Sequence, residues 1–291
     1  MSSRQLKVIT ITNQKGGTGK TTLSALLTYG LASRGYNVLM LDLDPQSHLS
    51  SLLLKITEIE EVKDGIIQMA QGEKFNIRKI DLGTKGEIGL IPSGLNYIIT
   101  VFRGQIPSWD PYAIYLRLMR EPAITRKYDY VICDTPPELF PPTIWGLYAA
   151  DYILIPSNYE ELSLSGVKLL LREIIPEVMN RSKKEPKVLG VALINAVKKI
   201  SQKSLDELNT ALYNFIKKTL PSLNRSYIYK KPLFSNVIHR YDDLKDLIYR
   251  PKRWELPLHR VIDRNPELKS EITAFSDEVL ERINNFEGIS Q

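Results

Sequence analysis

The chain has 291 residues, enough for one sizeable hydrophobic core or two modest ones, and its 43% apolar and 25% charged content is that of a soluble globular protein. One cysteine, Cys133, excludes an internal disulfide or a thiolate metal cluster, and no apolar run is long enough to cross a membrane. The net charge of +6 is uneven: 181–260 carries 18 Lys plus Arg against 7 Asp plus Glu, so the remainder is about −5, which points to an anionic partner over the plainer reading of a solvated lysine-rich surface.

The N-terminal MSSRQLK shows no signal-peptide pattern and the polar C-terminal NNFEGISQ no lipidation signal, so a cytoplasmic setting is expected. The segment 6–12, LKVITIT, reads as a strand, followed by a Gly-rich turn. A helix follows, with Leu23, Leu26, Leu27 and Leu31 at helical spacing and Gly35 as its stop. NVLML at 37–41 is a second strand running into Asp42 and Asp44, expected beside the first strand or close to it. Residues 49–82 are mixed helix and loop; 88–91 is a short strand; 110–121 reads as a helix with Tyr112, Tyr115, Leu116 and Met119 on one face. YDYVICD at 128–134 is a strand stopped by Thr135-Pro136-Pro137, with a short helix after Pro141-Pro142 and another strand at 151–156.

A helix is expected over 162–178, with Leu164, Val167, Leu170, Leu171, Ile174 and Val178 inward and Pro176 distorting its end. A buried strand follows at 187–195, then a helix through Leu205, Leu208, Leu212 and Phe215. The remainder reads as strand and loop at 231–238, a helix at 240–249, and a last helix over 268–285 with Ile272, Phe275, Val279, Ile283 and Phe286 on one stripe. Strand–helix alternation without a linker predicts one α/β domain over 1–291, with a mostly parallel central sheet flanked by helices.

The run NQKGGTGKTT at 13–22 carries the chemistry. Gly16, Gly17 and Gly19 let backbone N–H groups, Thr18 included, curl round phosphate oxygens, and the helix starting near Lys20 aims its free N–H groups at the same anion. Lys20 is placed to reach the β- and γ-phosphates and Thr21 to offer a hydroxyl to Mg²⁺, with Thr22 next on the helix. The leading glycine of G-x-x-x-x-G-K-S/T falls on Gln14, so the standard P-loop is incomplete; a dinucleotide turn is excluded because Thr22 stands where its third glycine belongs. Asp134, ending an apolar strand, suits a Walker-B carboxylate that holds Mg²⁺.

Together with LDLDPQ at 41–46, CDTPP at 133–137 and ADYILIPSNYEELSLSGVKLL at 150–170, this run resembles the ParA/MinD family of deviant Walker ATPases, and most the ParA/Soj DNA-partitioning branch. The resemblance implies an ATP- and Mg²⁺-dependent P-loop NTPase fold. Lys15 matches the family's signature lysine, which reaches across a homodimer to the partner's ATP. Asp44 matches the water-positioning aspartate, Asp42 a member of the Mg²⁺–water network, and Asn195 the adenine-contacting asparagine. The resemblance further implies non-specific binding of double-stranded DNA, a ParB-like centromere-binding protein that stimulates hydrolysis, and a nucleoid-associated location. The MinD-like alternative, a membrane-positioning ATPase, needs a C-terminal amphipathic helix; the stripe at 272–286 reads more simply as a core helix, with Arg282 its one basic residue after Glu281. Candidate DNA contacts are the basic clusters Lys198, Lys199 and Lys203; Lys230 and Lys231; and Arg250, Lys252 and Arg253; with Arg225, Arg240 and Lys245 between them.

Overall fold

The computed structural model describes residues 5–54, 62–94, 110–139, 141–159, 164–182, 184–197, 199–219, 227–249 and 257–288. Eight strands, β1 (Lys7–Ile11), β2 (Val38–Asp42), β3 (Arg78–Ile80), β4 (Ile88–Ile91), β5 (Tyr130–Asp134), β6 (Tyr152–Asn158), β7 (Lys187–Ala196) and β8 (Ile238–His239), form one sheet in the order β3-β4-β2-β5-β1-β6-β7-β8. All neighbouring pairs are parallel except the edge pair β3–β4. The expected single α/β domain with a mostly parallel sheet is what the chain forms.

Both faces of the sheet are covered, so its strands read as continuous apolar runs and successive residues serve opposite cores. Ile9, Met40 and Ile132 pack under α1 (Lys20–Ser33) and the long helix Pro266–Glu287. Their neighbours Val8, Leu39, Leu41, Val131 and Cys133 pack on the other side, against Ile114, Leu118 and Trp145 of the helices Ala113–Arg120 and Pro141–Ala149.

β5 lies between β1 and β2, which separates the strand 38–42 from the loop-bearing strand by one position. The consequence is chemical: Asp134 is registered beside both Ile11 and Asp42. The helix expected over 110–121 spans Ala113–Arg120, and its buried face is not the one that carries Tyr112, Tyr115, Leu116 and Met119. Ile114 and Leu118 are the buried pair and Met119 is 38% exposed, because two aliphatics at i and i+4 fill the sheet face better than large tyrosines. Pro176 acts one turn earlier than expected. Lacking an N–H and crowding the carbonyl four residues back, it is preceded by a π turn at Leu170–Ile174 between the helices Leu164–Leu169 and Ile175–Arg181. The edge strand β3 and the helix Leu258–Arg264 were not anticipated, and the regular strand near 231–238 is reduced to Ile238–His239.

The C-terminal helix is a core helix. Leu268, Ile272, Phe275, Val279 and Ile283 are buried, and so is Arg282. The Arg282 guanidinium donates to the carbonyls of Leu189 (2.6 Å), Lys231 (2.8 Å) and Leu233 (2.7 Å) and pairs with Glu278 at 2.6 Å. Glu278 in turn accepts the backbone N–H groups of Ser235 and Asn236. This buried pair ties the 231–236 segment, and Lys231 with it, to the sheet. Among the described residues, no helix is long and apolar enough to cross a membrane.

Candidate nucleotide-binding site

The phosphate loop leaves β1 and ends at Gly19, whose left-handed conformation (φ 84°, ψ 24°) caps α1. Gly17 is left-handed too (φ 74°), and those two values are the reason for glycine at both positions. Gly16 and Gly17 are exposed, whereas Thr18, Lys20 and Thr22 are buried. The first helical bond runs from Leu23 N–H to Gly19 C=O at 2.8 Å, which leaves the N–H groups before it directed at the loop's mouth. The Lys20 ammonium folds back along the loop and donates to the carbonyls of Asn13 and Lys15, both at 3.1 Å. Burial lowers its pKa, partly offset by the carboxylates of Asp134, Asp44 and Glu138. Lys15 N–H is held by Asn13 Oδ1 at 3.2 Å, and Lys15 C=O also accepts from Thr18 Oγ1 at 3.2 Å.

Beneath the loop the acidic residues form a layer. Thr21 Oγ1 donates to Asp134 Oδ2 at 2.8 Å and Ser24 Oγ to Asp134 Oδ1 at 3.0 Å. Burial pushes the Asp134 carboxyl up to about 7, with the Asp44 charge adding to it against the Thr21 and Ser24 hydroxyls. Asp42 is pushed up to about 8, by burial first and then by Asp134. Its Oδ2 accepts from Ser50 N (2.8 Å) and Ser50 Oγ (2.6 Å) and its Oδ1 from Asp44 N (3.1 Å). Asp42 is thus the anchor of the 44–50 segment, which leaves Asp134 and Thr21 as the pair facing the loop. Asp44 closes a short turn by accepting Gln46 N–H at 2.8 Å, and its other oxygen lies 3.8 Å from Nδ1 of His48, whose pKa it raises.

These residues fit a magnesium nucleotide. Asp134 and the Thr21 hydroxyl offer hard oxygen donors at the loop, and a cation there would favour the ionised forms of Asp134 and of Asp42 behind it, which burial disfavours. Among the described residues no three His, Cys, Asp or Glu side chains converge as an all-protein cage, in keeping with an ion whose remaining positions go to phosphate and water.

Asn195, the penultimate residue of β7, has a left-handed backbone (φ 60°), and its amide nitrogen lies 3.4 Å from where a side chain on Gly19 would begin. It therefore flanks the loop from the β7 side. Lys199, Lys203, Lys230, Lys231 and Arg240 are exposed, and Arg240 pairs with Asp242 at 3.0 Å. Lys245 stands on the helix Asp242–Tyr249, while Lys198, Arg225, Arg250, Lys252 and Arg253 lie outside the described residues. The exposed basic residues do not gather at one point. The chain through Lys230 and Lys231 bridges Val188 and Val191 of β7, whereas Arg240 N–H bonds to Ala196 C=O. Lys230, Lys231 and Arg240 are strung along the outer β7–β8 edge over on the order of 25 Å at strand rise, while Lys203 stands on the helix Gln202–Thr219.

Several residues of the site escape sequence reasoning. Ser24 stands one turn past Lys20 on the same helical face, so its place under Asp134 follows from the 3.6 period. Ser50 carries no comparable signal because the turn after β2 brings it back to Asp42, and Asn13 and Asn158 carry none because their contacts join β1 and its loop to β6, which is distant in sequence.

A family model described as an AAA domain matches residues 6–188. An uncharacterized protein of Methanocaldococcus jannaschii is 35% identical over 208 residues, 69% of this chain and 78% of that protein. The sporulation initiation inhibitor protein Soj of Bacillus subtilis is 35% identical over 169 residues, 58% of this chain and 64% of Soj, so the match spans a little under two thirds of Soj. Among solved structures, pNOB8 ParA aligns with a TM-score of 0.82 at 25% identity, covering 96% of this chain and 99% of that one. The same protein bound to nonspecific DNA aligns with a TM-score of 0.76 at 25% identity, with the same coverage. With a second lysine inside its phosphate loop, a strand-ending aspartate under Thr21 and these relatives, the chain belongs to the ParA/Soj family of deviant Walker ATPases.

Proposed function

We propose that this chain hydrolyses ATP as a switch: ATP joins two copies into a sandwich dimer, the dimer binds DNA without reading its sequence, and hydrolysis releases both. The cellular use is segregation of a plasmid or chromosome, on the nucleoid in the cytoplasm, with a ParB-like centromere-binding protein as stimulator. The observation that carries this reading is the loop itself, with Lys20 folded along its inner carbonyls and Lys15 at its front.

The parts divide the work. Backbone N–H groups of 16–22 bind phosphate oxygens, and Lys20 exchanges its two backbone carbonyls for the β- and γ-phosphates. Thr21 and Asp134 would hold Mg²⁺, with Asp42 behind them; when bound, that ion draws charge off the phosphates. Asp44, fixed by its own turn and by Asp42, orients the attacking water, and Asn195 contacts the base. Lys15 reaches the nucleotide of the second copy. In sedimentation experiments with ATP and Mg²⁺, the wild type is therefore expected to dimerise and Lys15→Ala to remain monomeric. A wild type that stays monomeric at high concentration would sink the sandwich.

Support for the DNA step comes from the charge of 181–260 and from the likeness to pNOB8 ParA, which has been solved on nonspecific DNA. Contacts to phosphates along the β7–β8 edge would attract and position a duplex but carry little sequence information. Combined charge reversal at Lys230, Lys231 and Arg240 is expected to weaken binding equally on two unrelated duplexes in the presence of ATP. The salt dependence should fall by about one phosphate's worth per lost contact, mostly from the lysines because Arg240 is already paired with Asp242. Fluorescence anisotropy across a salt series measures this; wild-type affinity and slope in the triple variant would move the DNA site elsewhere.

A further inference from the structure

The front half of the phosphate loop is held from outside, by the end of β6 and the helix that follows it. Asn13 Nδ2 donates to Pro156 C=O at 2.7 Å, while Asn13 Oδ1 takes Lys15 N–H. Two residues further along β6, Asn158 Nδ2 donates to the carbonyl of Gly17 at 2.9 Å. Gly166, on the helix Leu164–Leu169, completes the grip: a Cβ there would lie 2.7 Å from Asn13 Oδ1, so only glycine lets that helix approach so closely.

Asn158 is the informative member. The amide could be drawn either way round, but the reverse orientation would set its oxygen against the Gly17 oxygen, so the hydrogen bond determines it. Its own Oδ1 is buried and has no hydrogen-bond partner among the described residues. A side chain that leaves one polar atom unsatisfied and commits the other to the loop serves the loop more than the core. What it sets follows from peptide geometry. In a planar trans unit the C=O and the following N–H point in opposite directions. Drawing the Gly17 carbonyl outward to β6 turns the Thr18 N–H to the opposite side of the loop. Gly17 is the residue that can rotate, since its positive φ is unstrained and a Cβ there would meet nothing.

We propose that Asn158 is a positioning residue for phosphate recognition: it holds the Gly17–Thr18 peptide in the orientation that presents the Thr18 N–H to the phosphate. This rests on the phosphate-loop reading above. The test is calorimetric titration of magnesium ADP into wild type, Asn158→Ala, Asn158→Asp and Lys20→Ala, paired with amide NMR of the ADP-bound forms. Loss of the donor in Asn158→Ala is expected to weaken ADP about tenfold. Asn158→Asp keeps the shape but sets a carboxylate against a carbonyl, and should weaken it further. In the wild type the Thr18 amide proton should move strongly downfield on ADP binding, as a donor to a charged oxygen does; in both Asn158 variants that shift should be lost, a signature that general destabilisation would not remove selectively. If both variants match wild type in affinity and keep the Thr18 shift, while Lys20→Ala loses ADP, the positioning role is wrong and the loop reading stands. If wild type itself does not bind ADP, or Lys20→Ala binds it equally, the loop reading falls and this inference with it.

Discussion

Lys20→Ala is expected to abolish useful nucleotide binding while leaving the fold intact. The ammonium makes two hydrogen bonds, both to backbone carbonyls of its own loop, and it is only 8% exposed. Burial already disfavours its charged form, so deleting it removes a desolvated charge and costs the folded chain little. With nucleotide present the balance reverses. The same ammonium faces phosphate oxygens, and each charge-assisted hydrogen bond contributes about 1.5–3 kcal/mol. Two such bonds correspond to a loss of affinity on the order of a thousandfold. Calorimetry with magnesium ADP, beside thermal melts of the nucleotide-free proteins, separates the two effects. A variant that binds within tenfold of wild type would show that the loop does not use Lys20 as argued.

The second large effect belongs to Asp44. Asp44→Ala is expected to bind ATP and dimerise but to turn over at least about a hundredfold more slowly, the scale of a lost group that orients or deprotonates water. Such a dimer should stay on DNA. The alanine also removes the turn that accepts Gln46 N–H, so a slower rate alone could reflect a displaced 44–50 segment. Asp44→Asn settles that, because the amide oxygen can still accept Gln46 N–H while the charge is gone. Equal loss in both variants assigns the effect to the carboxylate; normal phosphate release in Asp44→Asn would move the water-orienting role elsewhere. Asp42 supports Asp44 in either case, since its carboxylate grips both Asp44 N–H and Ser50.

Much of this was legible without coordinates, and the reason is local. The phosphate loop is a contiguous run in which glycine spacing, the lysine and the helix start are consequences of backbone conformation over a few residues. The strands β1, β2, β5, β6 and β7 could be read because a sheet covered on both faces needs unbroken apolar runs, and the chain supplies them at 6–12, 37–41, 128–134, 151–156 and 187–195. Thr21 and Asp134 could be paired by motif alone, though 113 positions separate them.

Tertiary structure decided what depends on strand order and on contacts between distant segments. Insertion of β5 between β1 and β2 puts Asp42 directly beside Asp134; burial raises both carboxyls, and the Asp134 charge adds to the shift of Asp42. The same logic assigned Asp42 to anchoring Ser50, gave Asn158 its hold on Gly17, and buried Arg282 among three carbonyls instead of leaving it on a solvated helix face. A side chain's partner is set by which segments the packed sheet brings within hydrogen-bonding distance. Periodicity along one segment carries no record of that, whereas the backbone of a glycine-rich turn is dictated by the residues of the turn itself.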